Sequence, residues 1–92
     1  MAESAPATGA EGPLHFPCDW PLKIAGRNTP EFTATALAVV RRHCPRAATP
    51  ERRPSGGGKY LALSLNLRLD SREQMDALYR DLAAAPEVLW AL

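Results

Sequence analysis

Within residues 61–69 every second residue is a leucine, and between the leucines stand Ala62, Ser64, Asn66 and Arg68. A period of two held over nine residues predicts a strand with one wholly apolar face. A shorter version of the pattern runs through residues 20–26, where Leu22 and Ile24 alternate with Lys23 and Ala25. Pro21 has no N–H to give a neighbouring strand, so it is expected at the start of this one. The period then changes. Phe32, Ala36, Val39, Val40 and His43 recur at helical spacing and form one apolar stripe. Thr29 is placed to cap that helix, Pro30 to open it, and Glu31 to face the positive end of its dipole. Pro45 ends it after Cys44.

A second helix follows the leucine strand. Met75, Leu78, Tyr79 and Leu82 fall at i, i+3, i+4 and i+7, Ser71 and Gln74 have capping-box spacing, and Pro86 stops the helix. The closing "EVLWAL" reads as a last strand with Val88, Trp90 and Leu92 on one face. Residues 46–54 carry the weakest pattern. Two prolines and three arginines there leave room only for a short edge strand near residues 51–54. The order is β-α-β-β-α-β. Right-handed crossovers fold it into a four-stranded antiparallel sheet with two helices on one face. Strands one and three are central, and two and four lie at the edges. This α+β arrangement is the ferredoxin-like plait, a scaffold that hosts many functions.

Composition narrows the picture. At 92 residues the chain is at most one domain, and such a domain buries roughly 60–65% of its unfolded surface, enough for one two-layer core. Residues 1–13 have no aromatic residue and only Thr8 as a β-branched one. They cannot repay their ordering entropy, so residues 1–14 are expected to be a disordered tail ahead of a single domain over residues 15–92. Eleven basic residues against ten acidic give a net charge of +1, which excludes a global field for nucleic acid or membrane. Cys18 and Cys44 alone do not make a disulfide framework. The N-terminus has neither a basic nor an apolar leader region, and no apolar run approaches the ~20 residues of a membrane span. A soluble, reduced, cytoplasmic protein is expected.

The stretch "RRPSGGGKYLALSLNLRL" raises the question of a phosphate loop. Such a loop needs Gly-Lys-Ser/Thr opening into a helix, whereas Lys59 is followed by Tyr60 and a strand. The glycines are therefore expected to make a β-hairpin connection through residues 55–58. An RNA surface would need several stacking aromatics on the open sheet face, and strand three offers only Tyr60 beside Ala62, Ser64 and Asn66. His15, Cys18, His43 and Cys44 do not form a metal set: His43 and Cys44 are adjacent on a helix and point about 100° apart. Neither cysteine has a base partner in sequence, no Ser/His/Asp arrangement is legible, and no cofactor motif is present. Two features stay open. Arg41, Arg42, Arg46, Arg52, Arg53 and Lys59 are opposed over their stretch only by Glu51, as either a helix-end complement to the dipole or a basic patch for an acidic partner. The turn of Gly26, Arg27, Asn28 and Thr29 leads into the first helix, where free N–H groups are expected to point outward and could receive a carboxylate or phosphate.

"FPCDWPLKIAG", "PEF", "VVRRHCP", "RPSGGGKY", "REQMDALYRDL" and "PEVLWAL" together resemble the YbeD family of small bacterial proteins, over about residues 16–92. The most specific pieces are Phe16-Pro17, Lys23 with Gly26, Arg53-Pro54-Ser55, Gly58-Lys59-Tyr60 and residues 74–79. The resemblance implies a fold similar to the ACT-type regulatory domains of amino-acid biosynthetic enzymes. Those bind small effectors at the turn after strand one, commonly across a dimer interface, so a homodimer is implied as well. Some relatives lie near lipoate-metabolism genes. This chain departs from the family pattern in its proline- and arginine-rich second strand. The expectation is a non-enzymatic regulatory domain that binds a small anionic metabolite at Gly26, Arg27, Asn28 and Thr29. The alternative is a protein adaptor that uses Arg41, Arg42, Arg53, Ser55, Lys59 and Tyr60 with the sheet edges; RNA binding ranks third.

Overall fold

The computed structural model describes residues 15–92; the disordered-tail expectation for residues 1–14 lies outside them. The elements are β1 (Cys18–Arg27), α1 (Pro30–His43), β2 (Glu51–Ser55), β3 (Tyr60–Leu69), α2 (Arg72–Ala84) and β4 (Val88–Ala91). They form one antiparallel sheet in the order β2-β3-β1-β4, the plait read from the periods. No helix among the described residues is long and apolar enough to cross a membrane.

The leucine row of β3 is the centre of the core. Leu61, Leu63, Leu65, Leu67 and Leu69 are all buried, with Leu22 and Ile24 of β1 beside them. Phe32, Ala36, Val39 and Val40 of α1 and Met75, Leu78 and Leu82 of α2 close over that face. Gly26 belongs to this packing. A side chain there would run into the Phe32 ring and come within 2.6 Å of the Glu87 carbonyl oxygen, so glycine is what lets α1 seat against β1.

Three details differ from the sequence reading. Pro21 is the fourth residue of a ten-residue strand, opposite Asn66, and not at its start. Lys23 exchanges both its backbone hydrogen bonds with Leu92 on the β4 side. Pro21, two residues earlier, turns its ring nitrogen the same way, to where no described strand lies alongside, so the missing donor costs nothing. In β4 the register shifts between Ala25 and Gly26: Ala25 faces Trp90, but Gly26 faces Val88. This bulge at Leu89 sends Val88 to the covered face and leaves Trp90 and Leu92 on the open one, so the three do not share a face. In the capping box the Ser71 hydroxyl accepts from the Gln74 amide as expected, but the Gln74 side-chain oxygen accepts from the Asp70 N–H, one residue earlier than the usual partner.

Candidate functional site

The turn after β1 and the glycine hairpin meet at one end of the sheet. Gly56, Gly57 and Gly58 have φ of 60°, 68° and 90°, values that glycine adopts without strain. They bring Lys59 back beside Asn28. The Asn28 backbone amide donates to the Lys59 carbonyl at 2.9 Å, and its side-chain amide donates to the Gly58 carbonyl at 3.0 Å. Arg27 lies directly opposite Tyr60 across the β1–β3 ladder. Thr29 caps α1, its hydroxyl accepting from the Phe32 amide at 3.1 Å. The Arg52 guanidinium reaches over from β2 to the Thr33 hydroxyl at 3.2 Å.

This end is cationic. Among the described residues no carboxylate lies within ion-pairing distance of Arg27, Arg52 or Lys59. An open cleft of about 470 Å³ lies there, lined by Asn28, Thr29, Pro30, Thr33, Ala34 and Arg52. Sequence reasoning expected free turn amides, and here the structure corrects it. The amides of Asn28 and Thr29 donate within the turn and hairpin, the latter to the Arg27 carbonyl at 2.8 Å. Pro30 has no N–H, and Phe32 is taken by the cap. An anion at this end would be held by side chains, not by a backbone cradle.

The adaptor residues fall into two groups. Arg53, Ser55 and Tyr60 lie on the open sheet face, since Arg53 pairs with Ala62 and Ser55 with Tyr60, and Lys59 stands in the adjoining hairpin. Arg41 and Arg42 sit at the end of α1 on the helical layer, where Arg42 approaches Asp81 of α2 at 3.5 Å. The sequence run of cations is thus not one patch. The β2 edge is short, and its Pro54 and arginines make it a poor template for adding a strand.

Gln74 is the contact that sequence reasoning missed. Its side chain accepts from the Asp70 amide and donates to the His43 carbonyl, each at 2.6 Å, and also reaches the Cys44 sulfur at 3.6 Å. It clips the start of α2 to the end of α1. Beside the clip, His43 Nε2 lies 2.6 Å from Asp81 Oδ2. That hydrogen bond holds the Asp81 carboxyl below its ordinary range. Burial pushes the Cys44 thiol up, aided by the nearby Asp70 charge, which keeps it protonated and a poor nucleophile at neutral pH. A cleft of about 490 Å³ adjoins it, with Asp19, Arg46, Arg68 and Asp70 on the rim. Cys44 faces Gln74 and His43 faces Asp81. Among the described residues no three His, Cys, Asp or Glu side chains gather in a metal-holding group.

A model of the family described as "Protein of unknown function (DUF493)" matches residues 11–92. The chain is 45% identical over 80 residues to a UPF0250 protein of Paraburkholderia phytofirmans, covering 85% of this chain and 90% of that one. It is 42% identical over 90 residues to UPF0250 protein RSc0326 of Ralstonia nicotianae, with 95% and 93% covered. The solution structure of protein HP0495 from H. pylori superposes with a TM-score of 0.70 at 13% identity, covering 91% of this chain and 90% of that one. The ACT domain from GTP pyrophosphokinase of Chlorobium tepidum superposes with 0.61 at 11% identity, covering 80% and 94%. At those identities the two structures speak to the fold alone, an ACT-like plait.

Proposed function

The chain belongs to the DUF493 family, that of the UPF0250 proteins, and from that premise we propose that it is a non-catalytic regulatory module that binds a small anionic metabolite where the β1–α1 turn meets the glycine hairpin. The observation that carries this reading is the Asn28 clasp. It fastens the turn to the hairpin beside an open cleft at the head of α1, where Arg52 is the lining cation and Lys59 stands in the adjoining hairpin. Side-chain cations suit a carboxylate or phosphate through charge-assisted hydrogen bonds, and the helix dipole adds a smaller attraction of the same sign.

Burial holds the Cys44 thiol protonated, so this cysteine is a poor nucleophile at neutral pH. The ACT neighbour is by its description a domain of GTP pyrophosphokinase, which supports the regulatory reading by analogy of fold.

A thermal-shift panel of di- and tricarboxylates, phosphate and phosphorylated metabolites tests the proposal. A ligand at 100 times its dissociation constant adds about 2.7 kcal/mol to stability, so a true effector raises the melting temperature, and Arg52→Ala abolishes that rise. A flat response to every carboxylate and phosphate defeats the anion reading.

A further inference from the structure

The open face of the sheet carries most of the apolar surface that the fold leaves uncovered. Of the exposed large hydrophobic residues among those described, Tyr60, Trp90 and Leu92 lie on this face, at 40%, 45% and 70% exposure; the fourth, Leu89, is the bulge residue. Between them the floor is built from small side chains, Ala25 and Ser64 with Ala62. Trp90 and Leu92 form a wall along β4, and Glu51 and Arg53 form one along β2. Shallow hollows of about 300 and 160 Å³ lie in this trough on either side of Lys23. A sheet ordinarily buries an apolar face against a second layer, and among the described residues the second layer covers only the other side.

The dimensions and the charge narrow what fits. From β2 to β4 there are three strand spacings, about 14 Å in all, and an α-helix with its side chains is about 10–12 Å across. The face carries Lys23, Arg27, Arg53 and Arg68 against Asp19 and Glu51. Asp19 and Arg68 pair with each other at 3.2 Å, which leaves three cations facing one carboxylate. We infer that this trough docks an amphipathic helix of a partner protein, its apolar stripe on Trp90, Leu92 and the alanine floor and its acidic flanks on Lys23, Arg27 and Arg53. Helix-in-groove recognition uses this combination of apolar anchors and flanking charge. A second copy of the chain would bring the same excess of positive charge against itself. Single-stranded RNA would use the two aromatics and the cations but would leave Leu92 and the alanine floor without a role.

The docking surface is independent of the anion reading, because phosphate would shift the amides of Asn28, Arg52 and Gly58 while a docked helix would shift those of the trough floor. The test is an NMR titration of the isotope-labelled chain with a synthetic 18-residue amphipathic peptide carrying a leucine stripe and glutamate flanks. A control peptide has lysines in place of the glutamates. The glutamate peptide is expected to move the amides of Lys23, Ala25, Ala62 and Ser64 and the Trp90 indole, and to bind at least tenfold more tightly than the lysine peptide. Ser64→Arg, which fills the floor, and Lys23→Glu, which reverses a charge, each weaken it at least tenfold while the circular dichroism and melting temperature stay those of the parent. Equal binding of the two peptides, perturbation confined to α1 and α2, or full affinity in both variants overturns the proposal. So does a homodimer in sedimentation that protects the same amides, or a uridine 12-mer that displaces the peptide at lower concentration.

Discussion

The two faces of β3 are made from one strand and behave as two different materials. Toward the helices it presents five buried leucines; toward the open side it presents Tyr60, Ala62, Ser64, Asn66 and Arg68, which are exposed or half-buried. The backbone and its hydrogen bonds are shared, so side-chain chemistry alone separates them. The covered face specifies the fold through volume and burial. Among the described residues the open face has no packing partner to satisfy, so its residues are free to serve recognition. The consequence is that stability and binding should be separable by substitutions one residue apart.

The sharpest way to break this comparison is Leu63→Ala. Leu63 is 0% exposed, and truncating a buried leucine costs about 2–5 kcal/mol. Its neighbour Ser64→Ala should stay within about 0.5 kcal/mol, as surface changes do. Urea denaturation of both variants measures the contrast, and comparable losses would deny it. Gly26→Ala comes next. The added methyl meets the Phe32 ring and the Glu87 carbonyl, an overpacking expected to cost about 1–3 kcal/mol on the covered side, measured by the same denaturation midpoint.

These two predictions also mark how far the sequence was legible. Alternation in β3 and helical spacing in α1 and α2 were enough to name the covered face, because burial is periodic. The open face was harder. Trp90 reaches it only through the bulge at Leu89, which no glycine or proline marks within β4 itself. The Asn28–Gly58 clasp spans 30 residues and the Gln74–His43 clip spans 31, so neither leaves a short-range pattern. The run of arginines was visible, but its division between the helical layer and the open face depends on the register of β2. The turn itself was identifiable, whereas the use of its amides within the hairpin was not.

Smaller effects sharpen the comparison within the covering layer. Gln74→Ala leaves the Asp70 N–H and the His43 carbonyl without their partner. Each such group costs about 1–3 kcal/mol if it stays dry, but this clip is only partly buried, so a loss of about 1 kcal/mol is expected. Hydrogen exchange should then speed up where α1 and α2 meet and leave β3 protected. The smallest effect is pH-dependent. The hydrogen bond from His43 lowers the Asp81 carboxyl from its ordinary 3.8. Its contribution is therefore complete above that value and lost as pH falls through the lower folded-state value. Asp81→Asn should melt below the parent at pH 6, with the gap closing in strong acid; a gap that widens on acidification contradicts the assignment.

The central claim is that the cationic end formed by the turn and the hairpin is where this module receives its signal. An amide-resolved NMR titration with inorganic phosphate and with a dicarboxylate such as succinate tests it most directly. The account predicts shifts concentrated at Arg27, Asn28, Arg52, Gly58 and Lys59, weakened by salt and abolished by Arg52→Ala. Unchanged spectra, or shifts centred instead on the cleft beside Cys44 and Arg46, would contradict it.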